Sequence, residues 1–326
     1  GIAMGAALGN LLAGMIAYKH GKREYDAIIT ADNNALNFVR NYRDSIFKNI
    51  PVIFCGINFF SKKDTAGFSK ITGVNERAEI NKTLHLIKHL QPHVKNLIIV
   101  TDYTTTGLRL LQQLELIKQT SRHPFDSIHI MPNITMAQME AKLRKLTFDW
   151  GVLYIPVFRD ANNQFFTYQE SAEKISNASP VPVYGIWDFS LGHGILGGYM
   201  IEGYAQGYNA GKMAKRVIEG ESIEQIPILW QSPNHYKFDY EQLQKFNIDS
   251  DLLPENSKII NEPYSLYKHD RQLFWKILAV IAILLVLSIF LFIAVFNYRR
   301  LLRKLEQNHY YLRALLNVVG EGIIDI

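Results

Sequence analysis

Short apolar runs in this chain stop repeatedly at polar residues, and those residues are where chemistry could be done. Asp32 and Asn33 follow the run at 26–30, and Asn58, with Phe59 and Phe60, follows 51–55. The segment 102–106, with Thr104, Thr105 and Thr106, follows 96–101; Arg159 follows 150–156, and Trp187 and Asp188 close 181–187. The carboxylates of Asp32 and Asp188 suit an amine. Three threonines at the start of an expected helix offer hydroxyls and free backbone N–H groups to a carboxylate or phosphate, and serve equally as simple caps. Taken singly, each position is also an ordinary turn or cap residue. Taken together, they form a candidate site for a small polar ligand, and an amino-acid-like molecule would satisfy both its amine-binding and its anion-binding end.

Other constellations fall short of chemistry. Among ten histidines, His85 and His89 lie four apart, but Leu86 stands where a zinc-hydrolase helix needs its general-base Glu. No G-x-S-x-G elbow is present. Residues 192–197 read G-H-G-I-L-G, a literal dinucleotide fingerprint. That motif needs a strand-to-helix turn and an acidic residue ending a second strand about 20 residues on; here 188–191 intervene and position 217 falls in an expected helix. Gly203, Gly207 and Gly211 instead suggest a bare helix face packed closely on a sheet or a neighbouring helix. The single cysteine, Cys55, excludes an internal disulfide, and its apolar neighbours read as a buried strand. The Asn-x-Ser/Thr triplets at Asn81, Asn133 and Asn177 are of a kind that arises often by chance. Neither a cofactor nor a metal is expected, nor a catalytic site within this chain.

The elements that must position the polar residues alternate in type. β-Branched runs at 26–30, 51–55, 96–101, 127–131, 150–156, 181–187 and 226–230 predict strands. Helical spacing predicts helices at 34–43, 77–90, 107–119, 136–146, 169–176 and 199–219. Such alternation is the signature of a parallel sheet flanked by helices, in which ligands collect at the carboxyl ends of strands.

A second pattern lies near the end of the chain. Residues 277–298 carry no charge and are built of Ala, Val, Ile, Leu and Phe, long enough as a helix for the roughly 30 Å of bilayer hydrocarbon. The span is placed at 273–298. Arg299, Arg300, Arg303, Lys304 and Arg313 follow it, against Lys268, Arg271 and Lys276 before it, so the long N-terminal part is expected outside and the C-terminus in the cytoplasm. The net charge of +5 does not argue for nucleic acid, because no basic run interleaved with aromatics precedes the membrane. Residues 1–18 are also uncharged and are expected to form a buried helix in preference to a second span or a signal peptide. After the span, Tyr298, Leu301, Leu305, Leu312, Leu315 and Val319, with Asn308 at one seam position, alternate three and four apart, as in a short parallel coiled coil; an amphipathic helix resting on a following domain is the other reading. The chain begins with Gly1 and stops at Ile326 in an apolar run, and is read as an excerpt of a longer protein.

The runs Y-D-A-I-I-T-A-D-N-N-A at 25–35 and I-P-V-I-F-C-G-I-N at 50–58 resemble the ABC-transporter substrate-binding-protein-like sensor family. So do P-V-Y-G-I-W-D-F at 182–189, L-G-H-G-I-L-G-G at 191–198, F-D-Y at 238–240 and L-P-E at 253–255. Residues 1–18 do not resemble the strand and helix this family places upstream. The resemblance implies an α/β, two-lobed, type I periplasmic-binding fold closing on a small ligand, built into a membrane-anchored bacterial histidine kinase or diguanylate cyclase. It implies one lobe of about 25–93 and 184–237, a second of 94–183, and a linker at 238–272. After the span at 273–298 come a signalling coiled coil at 299–314 and, at 315–326, the similar-looking start of a PAS domain. The function so implied is extracytoplasmic sensing, with lobe closure shifting one membrane helix in a parallel homodimer. A membrane-tethered receptor handing substrate to a permease is the alternative.

Overall fold

The computed structural model describes residues 2–20, 24–120, 123–131 and 133–321, and the chain divides into two compact units, Gly1–Glu262 and Pro263–Ile326. The first unit opens with α1 (Ile2–His20), β1 (Ile28–Ala31), α2 (Asn33–Asn41), β2 (Val52–Asn58) and β3 (Ile71–Glu76). It continues with α3 (Ile80–Leu90), β4 (Asn96–Val100), α4 (Thr105–Gln119), β5 (Ser127–Met131), α5 (Met136–Leu143), β6 (Trp150–Tyr154) and α6 (Tyr168–Ala178). It closes with β7 (Val183–Gly185), β8 (Gly197–Met200), α7 (Gly203–Ile218), β9 (His235–Asp239), α8 (Tyr240–Lys245) and β10 (Lys258–Ile260). The second unit consists of α9 (Leu266–His269) and α10 (Arg271–Glu321).

Among the described residues the strands form two sheets, one of three strands ordered β1-β2-β3 and one of seven ordered β10-β9-β8-β7-β6-β4-β5. Pairing is parallel throughout except between β8 and β9. The central strands read as continuous apolar runs because both sheet faces are covered. Side chains alternate across the larger sheet. Leu97, Ile99, Leu153 and Ile155 join α3 and α4 in one core, while Ile98, Val100, Val152 and Tyr154 join α5 and α6 in another. The smaller sheet repeats the scheme, with Val52 and Phe54 against α2 and Ile53 and Cys55 against α7. The result is a two-lobed α/β unit.

Several expectations change. The chain leaves the first lobe before α3, whose Ile80, Leu84 and Ile87 belong to the core of the seven-stranded sheet, so the expected boundary at 93 lies too late. β7 pairs with β6 through Val183 and Val152, so residues from 184 do not return to the first lobe; that return comes with α7. The expected linker at 238–272 holds part of β9, α8 and β10, all within the first unit. Residues 226–230 form no strand: Leu229 makes one bridge to Val74, and Pro227 has no N–H to extend the ladder. β3 escapes sequence reading because Gly73 and Asn75 are poor strand formers, and β8 because it opens on Gly197-Gly198. Residues 192–197 form a loop that runs into β8 and open no helix.

The N-terminal segment is helical but not buried. Leu11, Leu12 and Met15 are exposed and Ala13 is covered, while Asn10 accepts a hydrogen bond from Tyr42 at 2.7 Å. In the second unit α10 is uninterrupted, so the apolar run and the residues expected to form a coiled coil share one helix of 51 residues, roughly 75 Å long. It is the one helix among the described residues long and apolar enough to cross a membrane. The start of the PAS-like segment, 315–321, continues this helix, and 322–326 lie outside the described residues, as do Gly1 and 21–23 of the N-terminal segment.

Candidate ligand-binding site

The carboxyl ends of β1, β2 and β3 in one lobe, and of β4, β6 and β7 in the other, border a common cavity of about 480 Å³. This is the location the parallel topology favours. Asp32, Cys55, Gly56, Asn58 and Glu76 line it from the three-stranded side, with Gly203, Gln206 and Gly207 of α7. Thr104, Gly107, Ile155, Pro156, Phe158, Trp187, Asp188 and Phe189 line it from the seven-stranded side.

Local backbone geometry aims these groups. Asp32 sits at φ 78 and ψ 156, a region that normally admits only glycine, and its carboxylate accepts from the Asn33 N–H to cap α2. The register of β2 against β3 shifts between Phe54 and Ile57, and Gly56 at φ 64 carries this bulge onto the cavity wall. Asp102, fully buried, accepts from the Thr104 N–H at 3.0 Å and its hydroxyl at 2.6 Å, and from the N–H groups of Phe158 at 2.8 Å and Arg159 at 3.3 Å. One carboxylate thereby fixes the loops after β4 and β6. Thr104 in turn caps α4 by accepting from the Gly107 N–H at 3.4 Å.

Buried polar groups tie the crossings between lobes together. Gln206 donates to the Asn75 carbonyl at 3.2 Å and accepts from the Gly56 N–H at 3.3 Å. Asn75 donates to the Trp230 carbonyl at 2.9 Å, and Asn234 to the Arg77 carbonyl at 2.8 Å. The Trp187 indole N–H donates to Glu76 Oε1 at 3.3 Å, linking the lobes at the cavity, and Arg109 of α4 lies 5.7 Å from the Phe59 ring centroid. Trp187 and Phe189 stack with centroids 6.2 Å apart, giving the cavity an aromatic side.

Charge in the cavity is predominantly negative. Burial pushes the Glu76 carboxyl above its ordinary range, and the nearby charges of Asp32 and Asp188 push the same way against the indole hydrogen bond. Burial, then Glu76, raises the Cys55 thiol. Asp188 is compensated: Lys237 Nζ lies 2.9 Å from its Oδ2 and 3.3 Å from Glu202 Oε1. Burial alone would lower the Lys237 ammonium, but Asp188 and then Glu202 outweigh it, and the pKa rises.

Of the residues singled out from sequence, Asp32, Asn58, Thr104, Trp187 and Asp188 meet at the cavity. Asn33 stands one step back, its side-chain oxygen accepting from the Asn58 N–H at 3.1 Å. Thr105 and Thr106 begin α4, their side chains lying outside the described residues. Arg159 turns away, donating to the Asn163 carbonyl at 3.2 Å and resting 5.7 Å from the Phe165 ring. Sequence reading misses Glu76 and Gln206. Glu76 ends a strand that went unrecognised; Gln206 interrupts the apolar side of α7, a polar residue in line with Ala210 and Ala214. The glycine stripe also reads differently. An added Cβ at Gly203, Gly207 or Gly211 meets nothing within 4 Å, and Gly203 and Gly207 border the cavity, so the bare face packs on no sheet.

Two α/β lobes joined by several crossings, with a cavity between their strand ends, define a two-lobed binding protein of the periplasmic type. Residues 27–251 match the ABC transporter substrate binding protein family, and the chain belongs to it. It is similar to a tyrosine-binding protein of Clostridioides difficile strain R20291, with 23% identity over 221 residues, 61% of each chain. The chain thus spans about three fifths of that curated relative. Among solved structures it resembles the ABC domain in complex with L-Trp from Streptococcus pneumonia, at 17% identity and TM-score 0.54, covering 76% of this chain and 82% of that one. It also resembles the ligand-free, open form of a substrate binding protein with adhesive properties from Clostridium difficile, at 17% identity and TM-score 0.55, covering 79% and 84%. At these identities the solved structures speak for the fold.

Proposed function

We propose that this chain is a membrane-anchored receptor that binds a small amino-acid-like ligand between its lobes, outside the cytoplasm, and delivers it to a permease. The observation that carries the reading is the cavity between strand ends, which offers carboxylates for an amine, the Thr104 helix start for an anion, and Trp187 and Phe189 for an aromatic side chain. Asp32, Asn58, Thr104, Trp187 and Asp188 are its proposed contacts, with Asn33 holding Asn58 in place. The similar proteins described as tyrosine-binding and as bound to L-Trp direct attention to aromatic amino acids. α10 supplies the anchor by length and composition. The ligand favours lobe closure to the extent that it binds the closed form more tightly than the open one.

One observation favours a second reading. α10 runs without a break past its apolar stretch into the charged residues after Tyr298, the continuity that a signal-transmitting rod requires. On that reading the same binding event biases the packing of α10 in a parallel homodimer and controls an output such as a histidine kinase or diguanylate cyclase. Both readings require the ligand. Isothermal titration of the full chain in lipid nanodiscs with L-tryptophan, L-tyrosine and a panel of other amino acids, sugars and nucleosides tests this directly. The expected result is saturable binding of an aromatic amino acid; heat from sugars or nucleosides alone would overturn the amino-acid reading.

A further inference from the structure

The carboxylates at the cavity are not equivalent. Asp188 has its ammonium partner in Lys237 at 2.9 Å, and Asp32 is exposed and engaged in capping α2. Glu76 is only 8% exposed, and its recorded hydrogen bond is the 3.3 Å contact with the Trp187 indole. Neither Lys nor Arg is found among the described residues lining the cavity. A buried carboxylate with so little compensation is costly unless something cationic joins it. The aromatic pair Trp187 and Phe189 adjoins it, and Thr104 and Gly107 at the start of α4 lie across the cavity.

We propose that Glu76 is the counter-ion for the ligand's ammonium group, and that it makes the cleft select an amine-bearing ligand over the same molecule without its amine. This rests on the reading of the cavity as an amino-acid-like ligand site. Glu76 lies where β3 ends and the chain crosses between lobes, so an ammonium placed on it sits at the joint and can be enclosed from both sides. The other titratable groups facing it are Asp32 at the end of β1, Asp188 after β7 and the Cys55 thiol of β2. An arriving ammonium favours the ionised carboxylate, so any proton still held by Glu76 leaves as the ligand binds.

The test is titration of the full chain in nanodiscs with L-tryptophan, L-tyrosine, tryptamine and indole-3-propionate, for the wild type and Glu76→Gln. The amine-bearing ligands should bind the wild type and lose roughly 30-fold or more in affinity in Glu76→Gln, whereas indole-3-propionate should be weak in both. Affinities in the variant within about twofold of wild type would overturn the assignment. So would indole-3-propionate binding the wild type as tightly as L-tryptophan, although that leaves the receptor reading intact. Absence of binding by all four ligands would overturn both. A second measurement needs no variant. Wild-type titrations with L-tryptophan in buffers of different ionisation enthalpy, between about pH 4 and 7, should report proton release on binding. Its loss in Glu76→Gln assigns the proton to Glu76 and not to Asp32 or Asp188; no release anywhere in that range would overturn the proposal.

Discussion

Glu76 illustrates how a buried carboxylate at a cavity wall lowers the stability of the fold that presents it. Burial raises its pKa above that of the unfolded chain. As pH rises through the ordinary carboxylate range, the unfolded chain releases this proton first, and the folded state loses stability until the folded pKa is passed. Glutamine has no such penalty. Ligand-free Glu76→Gln should therefore melt above the wild type at about pH 8, with the gap narrowing as pH falls and closing below about pH 4, where the carboxyl becomes protonated in both states. A gap of constant size across that range would show that burial of the charge is not its origin. Much of the cavity lining, and so of the candidate site, was legible at this scale. The rule that ligand residues follow parallel strands led to Asp32, Asn58, Thr104, Trp187 and Asp188. It failed for Arg159, which lies after β6 but turns towards Asn163 and Phe165, because a strand end fixes where a residue stands and not where a long side chain points.

At the scale of elements, α4 and α7 both bring glycine to the cleft for opposite reasons. A Cβ at Gly107 would fall inside contact distance of the Asp102 carbonyl and carboxylate, so Gly107→Ala should displace the clamp that fixes the loops after β4 and β6. The expected cost is about 1–3 kcal/mol in chemical denaturation. Gly207→Ala meets open space in a helix of ordinary geometry and should gain about 0.5–1 kcal/mol. Because Gly207 borders the cavity, the same variant should weaken L-tryptophan or L-tyrosine binding. Opposite signs for the two alanines in stability, with loss of binding at Gly207, separate a packing role from a cleft role; destabilisation by both would contradict the assignment for α7. The sequence pattern identified α7 by its spacing but placed its glycines against a sheet or a neighbouring helix, since periodicity locates a face and leaves open what that face meets. β3 was lost for a related reason. Gly73 and Asn75 serve the close approach to Phe54 and the bond to Trp230, and those roles outweigh strand propensity.

For the whole molecule, alternation of strands and helices was enough to anticipate a parallel sheet flanked by helices, and the uncharged run one long apolar helix, because both patterns follow from the need to cover apolar surface; the two lobes were anticipated from the family resemblance. The lobe boundaries were less legible. The chain passes from one sheet to the other within a few residues at Arg77–Glu79 and at Glu202, and no change of composition marks those crossings. The family match at 27–251 leaves the first helix and α10 outside it, which is why the coupling of ligand binding to transport or to signalling rests on the binding event itself. That event is accessible to hydrogen exchange of the full chain in nanodiscs, followed by mass spectrometry with and without L-tryptophan or L-tyrosine. Closure on a ligand predicts slower exchange together in 55–60 of one lobe and in 104–110 and 156–160 of the other. Slowing confined to one lobe, or found in neither at saturating ligand, would contradict the account.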